Sequence, residues 1–216
     1  VLTVKAMGAD LMVVRHKSTG AAWRVAEWAE VPVVNGGDGA HQHPTQALLD
    51  SLTLRQHFGS LEGLRIAIVG DIRHSRVARS DVFAFTTLGA EVTLVAPPTL
   101  LPPDLTGWPV KANTNFDEVL TEVDAVYVLR VQAERGGASV FPSVAEYRER
   151  FGMTDARFNR LKPDTIVLHP GPMIRGIEID GGVADDPRCK VLEQVTNGVA
   201  VRMAVLFQLL GGSRDE

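Results

Sequence analysis

Short apolar runs, mostly of β-branched residues, alternate with helical stretches along this chain, and that alternation admits few architectures. The runs are Leu11–Val14, Val31–Val34, Ile66–Val69, Glu91–Val95, Ala125–Leu129 and Ile166–His169. Each has strand length, and loop residues follow each one. Between them, Ala21–Glu30 has helical composition. Pro44–Phe58 opens with Pro at the favoured first helical position and stops at Gly59. Ser75 can cap a helix whose apolar positions Ala78, Val82, Phe85 and Leu88 follow helical spacing to Gly89. Strands alternating with helices in this way predict a parallel sheet covered on both faces.

Ser60–Leu64 reads as a boundary. It divides an α/β unit over 1–59 from a fuller one over 62–190, and a final helix over 195–210 is expected to return to the first unit. That helix is apolar on most of its circumference between Asn197 and Leu210, which predicts burial between other elements. The fold class expected is α/β, with two parallel-sheet αβα (Rossmann-like) domains joined by interdomain helices. The chain begins Val1-Leu2-Thr3 without Met, and its first seven residues read as the tail of a helix. The first domain is therefore expected to be incomplete.

Composition narrows the function classes. Lys plus Arg number 22 against 26 Asp plus Glu, a net charge of −4, which argues against a nucleic-acid partner. Val199–Leu210 is interrupted by Arg202 and Gln208 and is too short to cross a bilayer, so no membrane partner is expected. The single cysteine, Cys189, cannot close an intrachain disulfide, and a cytoplasmic location is the simplest expectation.

In parallel sheets ligands bind beyond the carboxyl ends of the strands, and the residues there are unusually polar. Arg15-His16 follows the first run and Asn35-Gly36-Gly37-Asp38-Gly39-Ala40-His41-Gln42-His43 the second. Asp71 to Arg76 follows the third, Arg130 to Arg135 the fifth, and His169-Pro170-Gly171-Pro172 the last. Five such ends are expected to converge at one sheet edge. Arg15, Arg76, Arg130 and Arg135 carry planar forks suited to carboxylate or phosphate, so the ligand should be small and multiply anionic. No Gly-x-Gly-x-x-Gly follows Val69, and no Gly-x-x-x-x-Gly-Lys occurs, which disfavours dinucleotide and nucleoside triphosphate binding through those loops. His41, His43 and His169 lack partners at metal-ligand spacing, so no metal is expected. His43 stands just before the Pro44 helix. Its N-terminal position lowers the imidazole pKa and keeps the ring neutral, able to polarise a carbonyl. Asp38 reads as a structural turn residue, with a general base as the alternative.

Gly39-Ala40-His41-Gln42-His43-Pro44-Thr45-Gln46-Ala47-Leu48-Leu49-Asp50 resembles the carbamoyl-phosphate segment of the aspartate/ornithine carbamoyltransferase family. Gly70 to Ser80, Val128 to Arg135 and His169-Pro170-Gly171-Pro172 resemble its aspartate branch. The likeness covers essentially the whole chain. It implies that Arg15, His43, Thr45 and Gln46 contact carbamoyl phosphate, with backbone carbonyls around Pro170 and Gly171 receiving its amino group. Arg76, Arg130 and Gln132 would hold the carboxylates of L-aspartate, and His43 and Arg15 would stabilise the tetrahedral oxyanion. The reaction implied is carbamoyl transfer to aspartate in de novo pyrimidine biosynthesis, without a cofactor. The assembly implied is a homotrimer with shared active sites and possible regulatory or dihydroorotase subunits. The family's upstream Ser-Thr-Arg-Thr-Arg phosphate cradle does not occur in these 216 residues, which are expected to bind carbamoyl phosphate poorly by themselves. Ile174 stands where the family pattern has Asn. Other readings stay open: a non-catalytic transcarbamoylase-like subunit, a carbamoyltransferase for another amino acid, and a simple dicarboxylate-binding module.

Overall fold

A strand that is apolar along its whole length must be covered on both faces, and the larger of the chain's two parallel sheets satisfies this, whereas Val13 in the first apolar run stays 64% exposed. The computed structural model describes residues 1–131 and 143–211. The first part comprises α1 (Leu2–Ala6), β1 (Met12–His16), α2 (Ala21–Ala29), β2 (Val33–Asp38) and α3 (Pro44–Phe58). The second runs through β3 (Arg65–Val69), α4 (Arg76–Thr87), β4 (Glu91–Val95), a 3₁₀ turn (Pro98–Leu100), β5 (Val110–Asn113), α5 (Phe116–Val119) and β6 (Ala125–Val128). It continues with α6 (Val144–Phe151), α7 (Asp155–Phe158), β7 (Ile166–Leu168) and α8 (Gly181–Ala184), and α9 (Val191–Leu209) closes the chain.

β1 and β2 form a two-stranded parallel sheet, and the other strands form a parallel sheet of order β5-β4-β3-β6-β7. Ile66 to Val69 of the central β3 are fully buried, with Val82 and Phe85 of α4 and Leu54 of α3 in the same core. Ser75 caps α4 as its sequence position predicts, its Oγ accepting from Ala78 N at 3.1 Å, a bond worth about 1 kcal/mol. α3 thus serves both parts: it follows β2 in the chain and packs on α4 and α9.

Four expectations need correction. The five polar strand ends belong to two sheets rather than one edge, so their meeting depends on how the sheets face each other. β2 runs on through Asn35–Asp38, where a loop was expected, because His16 pairs with Asp38 across an irregularity after Val14. β5 escapes a reading based on apolar runs: Val-Lys-Ala-Asn is an edge strand with Lys111 in solvent, and an edge needs only one covered face. The final helix starts at Val191 and is not enclosed. Leu192, Val199 and Met203 are 81%, 61% and 65% exposed, because its buried residues are confined to the face of Val191, Gln194, Asn197 and Gly198. Its Asn197 Nδ2 donates to Thr53 Oγ1 (2.9 Å) and Gln56 Oε1 (2.7 Å) of α3.

Gly152 ends α6 where two backbone carbonyls crowd it. A Cβ there would lie 2.6 Å from Arg148 O and 2.9 Å from Ile177 O, and neither can yield without moving main chain. Gly152→Ala is expected to destabilise the fold by about 1–3 kcal/mol, seen as a lower urea midpoint at unchanged m.

Candidate active site

The loop after β2 is built around one carboxylate. Asp38 is fully buried and accepts from Gly20 N (2.7 Å), Asn35 Nδ2 (3.0 Å), Gln42 N (3.0 Å) and His41 Nδ1 (3.2 Å). Burial pushes its pKa up, but the donors from Asn35, Gly20, His41 and Gln42 outweigh burial and hold it below the ordinary carboxylate range. A carboxylate so fully used is a turn anchor, which decides between the two readings of Asp38.

That anchor delivers His43 to the N-cap of α3, where its N–H donates to Ser80 Oγ of α4 at 2.8 Å. The imidazole pKa falls from 6.5 to about 4, chiefly through burial and then through the charges of Arg15, Arg202 and Arg76. The neutral ring matches the sequence argument, while the cause differs: desolvation and three guanidiniums act where the helix N-terminus was invoked. Its Nδ1 is buried without a hydrogen-bond partner among the described residues.

The three arginines whose charges act on His43 line two cavities. The first, of about 500 Å³, is lined by Arg15, His16, Lys17, Gly39, Ala40, His74 and Arg76. Arg15 projects from β1 with Nη1 3.4 Å from Gly36 O. Arg76 heads α4 and lies on Gly37 of β2, where a Cβ would come within 3.0 Å of its Nη1 and 3.2 Å of its Cδ. The second cavity, of about 310 Å³, is lined by Gln46, Leu49, His169, Pro170, Gly171, Gln194 and Arg202, among others. Thr45 is buried in the first turn of α3 beside Gln46. Arg130 follows β6 next to the β3–α4 turn, since Leu129 N bonds Val69 O and Leu129 packs on Gly70. Gln132 and Arg135 lie outside the described residues.

His169 is fully used by the fold. Its Nδ1 accepts from Gly171 N (2.9 Å), so the ring proton sits on Nε2 and faces Glu178 Oε1 (3.2 Å). It therefore shapes the Pro170–Gly171 loop. Arg202 was visible in the sequence only as an interruption of an apolar helix. The fold gives it a place: Nη1 bonds Gly198 O at 3.0 Å, and it lines the second cavity within reach of the His43 field. A lone charge in an apolar helix was the available signal. Among the described residues, Arg15 and Arg202 bond backbone carbonyls and no carboxylate, so their charge remains available to an anion. A neutral imidazole among such cations, away from bulk water, suits a reaction that develops negative charge on oxygen.

Two parallel α/β parts meeting over an arginine-lined cleft define the class, and comparison with known families agrees. The model of the aspartate/ornithine carbamoyltransferase Asp/Orn binding domain matches residues 62–209, and that of the carbamoyl-P binding domain matches residues 1–56; the chain belongs to the aspartate/ornithine carbamoyltransferase family. Within it, the chain is 60% identical over 212 residues to the aspartate carbamoyltransferase catalytic subunit of Thermobifida fusca (strain YX), covering 98% of this chain and 68% of that relative. Among solved structures it resembles Trypanosoma cruzi aspartate transcarbamoylase in complex with carbamoyl phosphate and aspartate, with a TM-score of 0.81, 29% identity and coverage of 95% and 69% of the two chains. The same enzyme in complex with carbamoyl aspartate and phosphate gives 0.83, 30%, 95% and 68%.

Proposed function

We propose that the protein transfers the carbamoyl group of carbamoyl phosphate to the amino group of L-aspartate, giving N-carbamoyl-L-aspartate and phosphate in de novo pyrimidine biosynthesis. The observation that carries this reading is the neutral His43 set among Arg15, Arg76 and Arg202 where the two parts meet. Relatives with this fold bind both substrates and both products of the reaction. Arg15 and His43 bind carbamoyl phosphate, with Thr45 and Gln46 at the head of α3. Carbonyls around Pro170 and Gly171 accept from its amino group. Arg76, Arg130 and Gln132 hold the two carboxylates of aspartate. The aspartate nitrogen attacks the carbamoyl carbon, and the C–O bond to phosphate breaks. The amine proton passes to the departing phosphate. His43 and Arg15 meet the negative charge that develops on the carbamoyl oxygen, and the chain's contribution is orientation and electrostatic stabilisation.

The test is direct. The complete native protein, given carbamoyl phosphate and aspartate, should form carbamoyl aspartate and phosphate in equal amounts; no product would overturn the reading. Calorimetry with succinate, alone and after carbamoyl phosphate, separates ordered binding of two substrates from simple dicarboxylate capture. A homotrimer with shared sites and a cytoplasmic location belong to the same proposal, as does the possibility of regulatory or dihydroorotase subunits. Exposed Trp23, Trp28, Leu192 and Met203 supply apolar surface that association would cover, and sedimentation reads the stoichiometry.

Gly37 gives a sharper check of Arg76. Its φ is +117°, and a side chain would press on the guanidinium. Gly37→Ala is expected to raise KM for aspartate roughly tenfold, since a small displacement of a positioning group costs that much or more. Initial rates at saturating carbamoyl phosphate measure it.

A further inference from the structure

Asp50 is fully buried in α3 and collects donors from three elements. Gln46 Nε2 lies 3.1 and 3.2 Å from its two oxygens, Gln194 Nε2 of α9 2.6 Å from Oδ1, and the Tyr127 hydroxyl of β6 2.8 Å from Oδ2. Asp81 of α4 is equally buried and faces it, and neither Asp81 oxygen receives a donor. Two carboxyls buried side by side do not both ionise. The donors converge on Asp50, so the shared proton belongs on Asp81, whose oxygens have no other partner among the described residues. Burial raises the pKa of both groups, and the charge on Asp50 raises Asp81 further.

This pair determines which way two amides point. With Nε2 held by Asp50, Gln46 can offer only its Oε1 to the cavity that it lines with Pro170 and Gly171. With Nε2 likewise held, Gln194 turns its Oε1 to His169 N at 3.0 Å and so anchors the Pro170–Gly171 loop. Both walls of the second cavity depend on one carboxylate. We propose that Asp50, kept ionised by a proton held on Asp81, is a positioning residue that sets this cavity to accept hydrogen bonds from an –NH2 group. On the reading given above, that group is the amino group of carbamoyl phosphate.

Substitutions at the two positions should act unequally. Asp50→Asn places an amide N–H among donors and lets Gln46 turn over. KM for carbamoyl phosphate is expected to rise about ten- to a hundredfold, the cost of one mismatched buried hydrogen bond. Asp81→Ala removes the proton donor and should raise the same KM, whereas Asp81→Asn restores an N–H donor and should bring it back to within about threefold of the parent. In infrared spectra, the carbonyl stretch of a buried protonated carboxyl should be present in the parent and absent in Asp81→Asn. That band is read without turnover, so it tests the pair even if the proposed reaction fails. The inference is overturned if the parent lacks the band, if Asp81→Asn is as impaired as Asp81→Ala or does not fold, or if Asp50→Asn leaves KM unchanged. Should Asp50→Asn itself fail to fold, the Asp81 pair and the infrared band still decide.

Discussion

Replacing His43 with alanine is expected to lower kcat about a hundred- to a thousandfold, with a much smaller change in KM for aspartate. The magnitude is that of losing one preorganised donor to a developing oxyanion, and the placement of the ring supports it. Nδ1 is buried and unpartnered among the described residues, and Arg15, Arg202 and Arg76 add their field to the same point. A glutamine at this position keeps an N–H donor and should recover part of the loss. The pH profile carries a second sign. With its pKa lowered to about 4, His43 is neutral throughout neutral pH, so its ionisation produces no step in kcat near 6.5, where an ordinary imidazole would titrate. Stability behaves differently. The unfolded chain takes up the proton below about 6.5 and the folded one only below about 4, so stability is lost as pH falls through that window. At about 1.4 kcal/mol per unit the loss is at most about 3.5 kcal/mol, and His43→Ala should flatten that part of the curve. A full-length variant that turns over at the parental rate would remove His43 from the mechanism.

Arg76→Ala is expected to cut kcat/KM for aspartate by a hundredfold or more while leaving affinity for carbamoyl phosphate within a few-fold. Losing one member of a buried, hydrogen-bonded charge pair costs about 2–5 kcal/mol, and about 1.4 kcal/mol is a factor of ten. The side chain is well placed for this. It heads α4, whose first turn is capped by Ser75, and lies flat on Gly37 facing the first cavity. Arg76→Lys keeps the charge and loses the fork, so it should recover little. Steady-state kinetics with aspartate varied, beside calorimetry with carbamoyl phosphate, separates the two effects. Equal weakening of both ligands would place Arg76 on the phosphate instead.

Much of this site is legible along the chain because its parts are local. Pro44 at the first position of α3 and Ser75 before α4 mark helix starts through interactions within one turn. The buried strands announce themselves as uninterrupted apolar runs. Helices of intermediate burial and the edge strand β5 do not, since their pattern is neither continuous nor strictly periodic. Arg202 and Gln194 were missed as site residues for a different reason. A charge and an amide in an apolar helix carry no local pattern that marks a site, and the groups that give them their roles, Asp50 for Gln194 and His43 for Arg202, lie well over a hundred residues away.

From sequence alone follow the alternation that forces parallel sheets, the arginines at the strand ends, and a histidine before a helix. These depend on backbone preference and neighbouring side chains, which act over a few residues. The facing of two sheets across His43, the seating of Arg76 on Gly37 and the single proton between Asp50 and Asp81 were decided only in three dimensions. Each requires removing groups from water next to partners distant in the chain, and desolvation is a property of the packed whole.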